Sequence, residues 1–190
     1  MSTGVPDFPE PVQAPPPLPE GLRRMGVALR GARAADLPFL RTLYGGFRAE
    51  ELALAPWTPE QKARFLDDQF RLQHADWVHR YADADFLIVE QARPPAAAAA
   101  IGRLYLRRRA PLWRIVDIGF VPARRGAGLG GALIQWVCAS AHQAGAAGVG
   151  LAVLATNPRA EALYRRLGFE DSGAGDNVRR DMTWRPAKVS

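Results

Sequence analysis

The stretch Ile118-Gly-Phe-Val-Pro-Ala-Arg-Arg-Gly-Ala-Gly-Leu-Gly-Gly131 limits what this chain can fold into more than any other. An apolar strand runs into two arginines, then four glycines within six residues, then an apolar-periodic helix. Gly126, Gly128, Gly130 and Gly131 leave the backbone uncovered and free to take φ > 0. Successive N–H groups can then point into one concavity at the positive end of a helix dipole. Such an arrangement binds phosphate oxygens, so the segment predicts strand–turn–helix geometry with a phosphorylated ligand at the turn.

Two common phosphate loops fit poorly. Gly126, Gly128 and Gly131 satisfy G-x-G-x-x-G, but a dinucleotide site also needs an acidic residue about 20 positions on for the ribose hydroxyls. The first Asp or Glu after Gly126 is Glu161, and Pro122 to Arg125 separate the strand from the glycines. A nucleotide P-loop is excluded because no Gly-Lys-Ser/Thr follows.

Arg125-Gly-Ala-Gly-Leu-Gly130 resembles the Arg/Gln-x-x-Gly-x-Gly/Ala pyrophosphate loop of the GNAT acetyltransferase superfamily. Asn157-Pro-Arg-Ala160, Leu163-Tyr164 and Leu167-Gly168-Phe169 resemble that family's Asn…Ala…Tyr…Gly-Phe block at the family's distance. The resemblance covers Val27 to Trp184 in architecture, and its specific motifs lie between Ile118 and Phe169. It implies a single-domain α/β fold: a mixed, mostly antiparallel central sheet flanked by helices, with a V-shaped splay between two central strands. It also implies an N-acetyltransferase that uses acetyl-coenzyme A without a metal. The loop Arg125, Gly126, Ala127, Gly128, Leu129, Gly130 and Gly131 would take the pyrophosphate. Backbone groups of Phe120 and Val121, together with Asn157, would take the pantetheine arm. The acceptor is a small-molecule or protein amine. A non-catalytic coenzyme A-binding regulatory module is the competing reading.

The rest of the chain agrees with one such domain. With 190 residues, 48% hydrophobic and 23% charged, it can bury a full core. Its one cysteine, Cys138, lies in an apolar helical pattern and suits a reducing cytoplasm. No apolar run reaches the length of a membrane span. The net charge of +6 comes almost wholly from arginine, and Arg103, Arg107, Arg108, Arg109 and Arg114 cluster. A solvated basic face that draws in anionic coenzyme A fits this cluster better than nucleic-acid binding, for which aromatic interleaving is missing. A homodimer stays open. Residues 1–24 carry seven prolines and few large apolar side chains, so an extended or disordered tail is expected, with the domain at 25–190.

Along the domain, Val27 opens a strand, Asp36 caps a helix through Phe47, and Thr58-Pro59 starts a second helix running to about His79. Strands are expected at Phe86–Glu90, from Ala99, at Leu112–Val121, at Val149–Leu154 and at Val178–Trp184. A turn is expected around Pro94-Pro95, and the alanine run 96–100 reads as a loop entering a strand. Helices are expected from Gly128 to Ala144 and from Pro158 to Leu167.

Three residues carry candidate chemistry. Asn157 before Pro158 is a helix N-cap on the residues alone. Tyr164 shares a helical stripe with Ala160, Leu163 and Leu167, which makes it a core tyrosine by periodicity. The resemblance instead places its hydroxyl beside the coenzyme A sulfur, as donor to the leaving thiolate. Asp117 is the lone carboxylate of its apolar strand, and an acid there is costly unless paired or used. It is the candidate base, with Glu50, Glu51 and water as rivals. The family's usual acidic position falls on Arg114 here, and a bulge would alter the parity of Asp117. No His or Cys spacing suggests a metal site.

Overall fold

Helix starts fall where cap chemistry dictates. Thr58 accepts from the Gln61 N–H at 3.3 Å while the Gln61 side chain accepts from the Thr58 N–H at 2.8 Å, a reciprocal capping box. Asp36, expected to cap the helix from Leu37, makes no side-chain bond to it: its carboxylate accepts from the Arg33 N–H at 2.8 Å, closing the single turn Ala34–Asp36, and from both terminal nitrogens of Arg30 at 2.7 Å. The computed structural model describes residues 5–10, 14–93 and 96–187. Their helices are α1 (Glu20–Arg24), α2 (Leu37–Leu54), α3 (Pro59–Arg80), α4 (Leu129–Gln143) and α5 (Pro158–Arg166). The strands are β1 (Val27–Gly31), β2 (Asp85–Arg93), β3 (Ala96–Arg107), β4 (Leu112–Phe120), β5 (Gly148–Leu154), β6 (Glu170–Gly175) and β7 (Arg179–Trp184).

The strands form one seven-stranded sheet in the order β1-β2-β3-β4-β5-β7-β6, antiparallel except for the central β4–β5 pair. The α/β, mostly antiparallel architecture is therefore as expected. One face packs on α4, α5 and α1 through Leu133, Ile134, Val137, Leu151 and Leu22. The other packs on α2 and α3 through Leu40, Leu43, Phe70 and Tyr105. Truncating a fully buried leucine such as Leu133 would remove about 2–5 kcal/mol.

Three further expectations change. The alanine run 96–100 belongs to β3, where Ala99 and Ala100 pair with Gln91 and Glu90, because backbone pairing to β2 outweighs the featureless side chains. The Pro94-Pro95 turn lies outside the described residues. The segment 1–24 is not loose over its described part: Glu20–Arg24 is helical with Leu22 buried, and Trp136 Nε1 donates to Pro17 O at 3.1 Å. Phe8 packs edge-on against His74 at 4.8 Å, and the His74 Nε2 lies 2.8 Å from Pro6 O. A few anchors, Phe8, Leu18 and Leu22, suffice to dock a proline-rich stretch that starts with little entropy to lose.

The arginine cluster is also not a bare basic face. Arg103 pairs with Asp117, Arg107 and Arg109 with Asp83, Arg108 with Asp85 and Arg114 with Asp181. The β2–β3 register, with Asp85 opposite Leu106, brings Asp83 and Asp85 to Arg107, Arg108 and Arg109. Among the described residues no helix is long and apolar enough to cross a membrane.

Candidate active site

The site begins where the two central strands part. β4 and β5 pair in parallel only from Leu112 with Gly148 to Ile115 with Leu151. Beyond that, β4 stays with β3 up to Phe120, and β5 stays with β7 up to Leu154. The V-shaped splay thus opens after Ile115. A bulge lies at the same point, since Tyr105 pairs with Asp117 but Leu106 pairs with Ile115, leaving Val116 over. Trp113 and Ile115 face the α4 side, and so do Ile118 and Phe120. The bulge has therefore reversed the parity and turned Asp117 toward α2 and α3.

There Asp117 meets Arg103. Arg103 Nε donates to Asp117 Oδ2 at 2.5 Å, and the Arg103 side chain is only 2% exposed. Its guanidinium lies 4.8 Å from the Trp77 ring, 5.3 Å from Tyr105 and 5.6 Å from Phe47. Burial disfavours the charged arginine, but the Asp117 carboxylate and the Tyr105 hydroxyl more than compensate and raise its pKa. Gly119 admits Phe47 to this cluster, because a Cβ there would stand 2.3 Å from Phe47 Cζ. Asp117 Oδ1 has no partner among the described residues.

The glycine loop lies past the end of β4. Gly126 and Gly128 have φ of 75° and 80°, a left-handed conformation that side chains rarely adopt, and α4 starts at Leu129. Among the described residues the N–H groups of Gly126, Ala127, Gly128, Leu129, Gly130 and Gly131 have no acceptor. A Cβ at Gly126 or Gly128 would meet nothing within 4 Å, so the space beside them is open. Arg124 Nε is buried with no hydrogen-bond partner. Free donors, open space and an unpaired cation fit a pyrophosphate. The Arg125 side chain behaves differently: Nε donates to Phe120 O at 2.9 Å.

Phe120 and Val121 also differ. The Val121 N–H donates to Ile101 O and its carbonyl accepts from Arg124, both at 2.9 Å, so its backbone is occupied. Strand alternation turns the Phe120 N–H to the other edge, toward the splay. Asn157 Oδ1 accepts from the Ala160 N–H at 3.1 Å and caps α5, leaving its amide NH₂ free for another partner.

Tyr164, on α5, packs against Phe169 with ring centroids 6.0 Å apart, and its hydroxyl has no hydrogen-bond partner among the described residues. Burial, and then the Asp117 charge, push its phenol up to about 12. Glu51 pairs with Arg48 at 2.7 Å on the exposed side of α2, and Glu50 is exposed as well. Two surface cavities, of about 280 Å³ beside Trp57 and Phe65 and about 420 Å³ beside Cys138 and His142, include neither Tyr164 nor Asp117. The splay is an open cleft between strands. Among the described residues no group of three or more His, Cys, Asp or Glu could hold a metal ion.

Residues 48–169 match the Acetyltransferase (GNAT) family. The chain belongs to that family. As a GNAT protein it is an acyltransferase whose co-substrate is acetyl-coenzyme A. Among solved structures it is similar to the PaiA N-acetyltransferase of Thermoplasma acidophilum in complex with coenzyme A, at 16% identity and TM-score 0.62, covering 85% of this chain and 100% of that one. It is also similar to the spermidine N-acetyltransferase of Vibrio cholerae in complex with coenzyme A and spermine, at 19% identity and TM-score 0.53, covering 83% and 93%. A domain from Methanocaldococcus jannaschii aligns with TM-score 0.62 at 15% identity, covering 84% and 98%. At these identities the structural likeness shows the shared fold alone. Among curated proteins none is similar in sequence.

The sequence leads the acceptor across α2, α3 and the Arg103–Tyr105 strand, but it does not single out Phe47 or the inward-facing Arg103 side chain. Arg103 was grouped with solvated arginines, although it is the one arginine within Ile101-Gly-Arg-Leu-Tyr-Leu. A cation inside that apolar stretch and a lone acid, Asp117, in the next strand allow a cross-strand pair, but the register that joins them is not in the local sequence.

Proposed function

We propose that this GNAT protein acetylates an amine by direct attack in a ternary complex, with the reacting atoms in the β4–β5 splay. The observation that carries the reading is the coincidence, at one opening, of strands that part after Ile115, the Asp117 carboxylate just beyond that point, and the unpaired N–H groups of the glycine loop past the end of β4. Acetyl-coenzyme A supplies the thioester whose acyl carbon is the electrophile. The free N–H groups of Gly126 to Gly131 hold the pyrophosphate, with Arg124 beside them. The Phe120 edge and the Asn157 amide hold the pantetheine arm, which lies along β4 as an added strand would.

Tyr164 keeps its proton at neutral pH, because its pKa is about 12, and so donates to the departing thiolate. Asp117 Oδ1 accepts a hydrogen from the amine, directly or through one water, while Arg103 holds Oδ2 and fixes the carboxylate's orientation. An acyl-enzyme route has little support. Cys138 is buried and its thiol is pushed up to about 12, far from a reactive thiolate.

The acceptor enters over α2 and α3, past Phe47 and Trp77. A panel for the test includes spermidine, after the name of the Vibrio cholerae neighbour, with aromatic monoamines, aminoglycosides and peptides carrying a free N-terminus or lysine. Thiol release from acetyl-coenzyme A, matched one-to-one by acetylated amine, is expected for one of these classes. Tight coenzyme A binding without thiol release for any amine would contradict catalysis and favour a coenzyme A-binding regulatory module.

A further inference from the structure

Two adjacent arginines precede the glycine loop, and their side chains do opposite things. Arg125 is anchored by the protein itself: Nε donates to Phe120 O at 2.9 Å, and a terminal nitrogen donates to Gly46 O on α2 at 3.3 Å. Its guanidinium carbon lies 5.1 Å from the centre of the Phe47 ring. Gly46 sits inside helix α2, where glycine is disfavoured by about 1 kcal/mol relative to alanine. Loop and helix pack directly here: a Cβ at Gly46 would sit in ordinary van der Waals contact, 3.6 Å from the Arg125 nitrogen and 3.8 Å from Pro122. Arg124 has no such anchor. Its Nε is buried without a hydrogen-bond partner among the described residues.

Phe47 carries the connection further. The same ring lies 5.6 Å from the Arg103 guanidinium, and Arg103 donates to Asp117. A continuous series of contacts therefore runs from the loop through Arg125, Phe47 and Arg103 to the carboxylate in the splay. Arginine suits the first link because its planar fork reaches two carbonyls at once, whereas a lysine offers one compact charge.

We propose that Arg124 is the cation that meets the phosphates of coenzyme A, while Arg125 is a positioning residue that ties the loop to α2. Filling the loop then orders the acceptor wall of Phe47, Arg103 and Asp117. The inference rests on the coenzyme A reading of the loop. By linkage, coenzyme A and the acceptor strengthen each other's binding.

The test compares Arg124→Met, Arg125→Met and Arg125→Lys in the full chain. Coenzyme A affinity is read by calorimetry, and exchange protection of the α2 amides 47–54 is read with and without coenzyme A. Arg124→Met should weaken coenzyme A by about 10-fold or more, the loss of a charge-assisted contact. Both Arg125 variants should keep the affinity within about 3-fold, yet lose the rise in α2 protection that coenzyme A produces in the wild type. With the best amine of the panel, their amine KM should rise about 5-fold while the acetyl-coenzyme A KM stays the same. The proposal is overturned if Arg125→Met loses coenzyme A affinity and Arg125→Lys restores it, because charge alone would then matter. Unchanged α2 protection in both Arg125 variants overturns it too. A wild type that binds no coenzyme A overturns the loop reading itself, an outcome visible before any variant is made.

Discussion

The loop side and the acceptor side of the splay are built from different material. On the loop side the atoms proposed to bind are backbone N–H groups, Gly126 to Gly131, held by two left-handed glycines and the start of α4. On the acceptor side they are side chains: Asp117, the buried Arg103 and the rings of Phe47, Trp77 and Tyr105. Backbone donors present the same groups whatever side chains flank them, so this half suits a ligand that does not vary. A wall of side chains is altered by single substitutions, so acceptor choice belongs there.

That contrast breaks first at Arg103. Asp117→Ala would leave a fully buried guanidinium without its carboxylate, which costs about 3 kcal/mol, the low end for a broken buried pair because Asp117 itself is partly exposed. The melting temperature should drop by about 6–12 °C. A shift under about 2 °C would mean that Arg103 finds water or another partner, and that the acceptor wall is less rigid than described. On the loop side, Gly128→Val puts a β-branched residue at φ 80° and a side chain into the open space beside the donors. Coenzyme A affinity should fall about 10²-fold, near 2.7 kcal/mol, by calorimetry. Retained affinity would remove the backbone cradle from the account.

A smaller effect is expected at Phe8, which props α3 from behind the acceptor wall. Phe8→Ala should lower stability by about 1–2 kcal/mol, less than for a fully buried phenylalanine, as measured by urea unfolding. An unchanged midpoint would show that residues 5–10 do not dock. The acceptor side should also carry pH sensitivity that the loop lacks. Burial depresses the His74 pKa below 6.5, so its contribution to stability is present above pH 6.5 and is lost as the pH falls through the lower folded value. His74→Phe should flatten stability between pH 7.5 and 5.5, and an equally steep acid limb in the variant would assign the loss to other groups.

The same division explains what the sequence revealed. Glycines announce a backbone-built turn, because they combine left-handed φ with open space; the structure has that conformation at Gly126 and Gly128, whereas Gly130 and Gly131 lie in the first turn of α4. Cap chemistry likewise exposed Thr58 and Asn157 as helix starts. The acceptor wall was not legible, because it depends on register. Nothing local says that Arg103 points inward, or that an extra residue at Val116 turns Asp117 toward it. Docking of the proline-rich segment was hidden for a similar reason, since Phe8 finds its partners His74 and Phe86 far along the chain. The strand β6, exposed throughout and rich in small residues, lacks the alternation that marks a half-buried strand and forms through pairing with β7.

The central claim is that chemistry occurs in the splay with Tyr164 as proton donor, and Tyr164→Phe tests it most directly. The substitution removes one hydroxyl, which has no partner among the described residues, and keeps the ring on Phe169. Coenzyme A affinity and thermal stability should stay near wild type, while acetyl transfer to the best panel amine slows by about 10²-fold, close to 2.7 kcal/mol of transition-state stabilisation. Turnover equal to wild type in a variant that binds coenzyme A normally would make Tyr164 a core tyrosine and contradict the assigned chemistry.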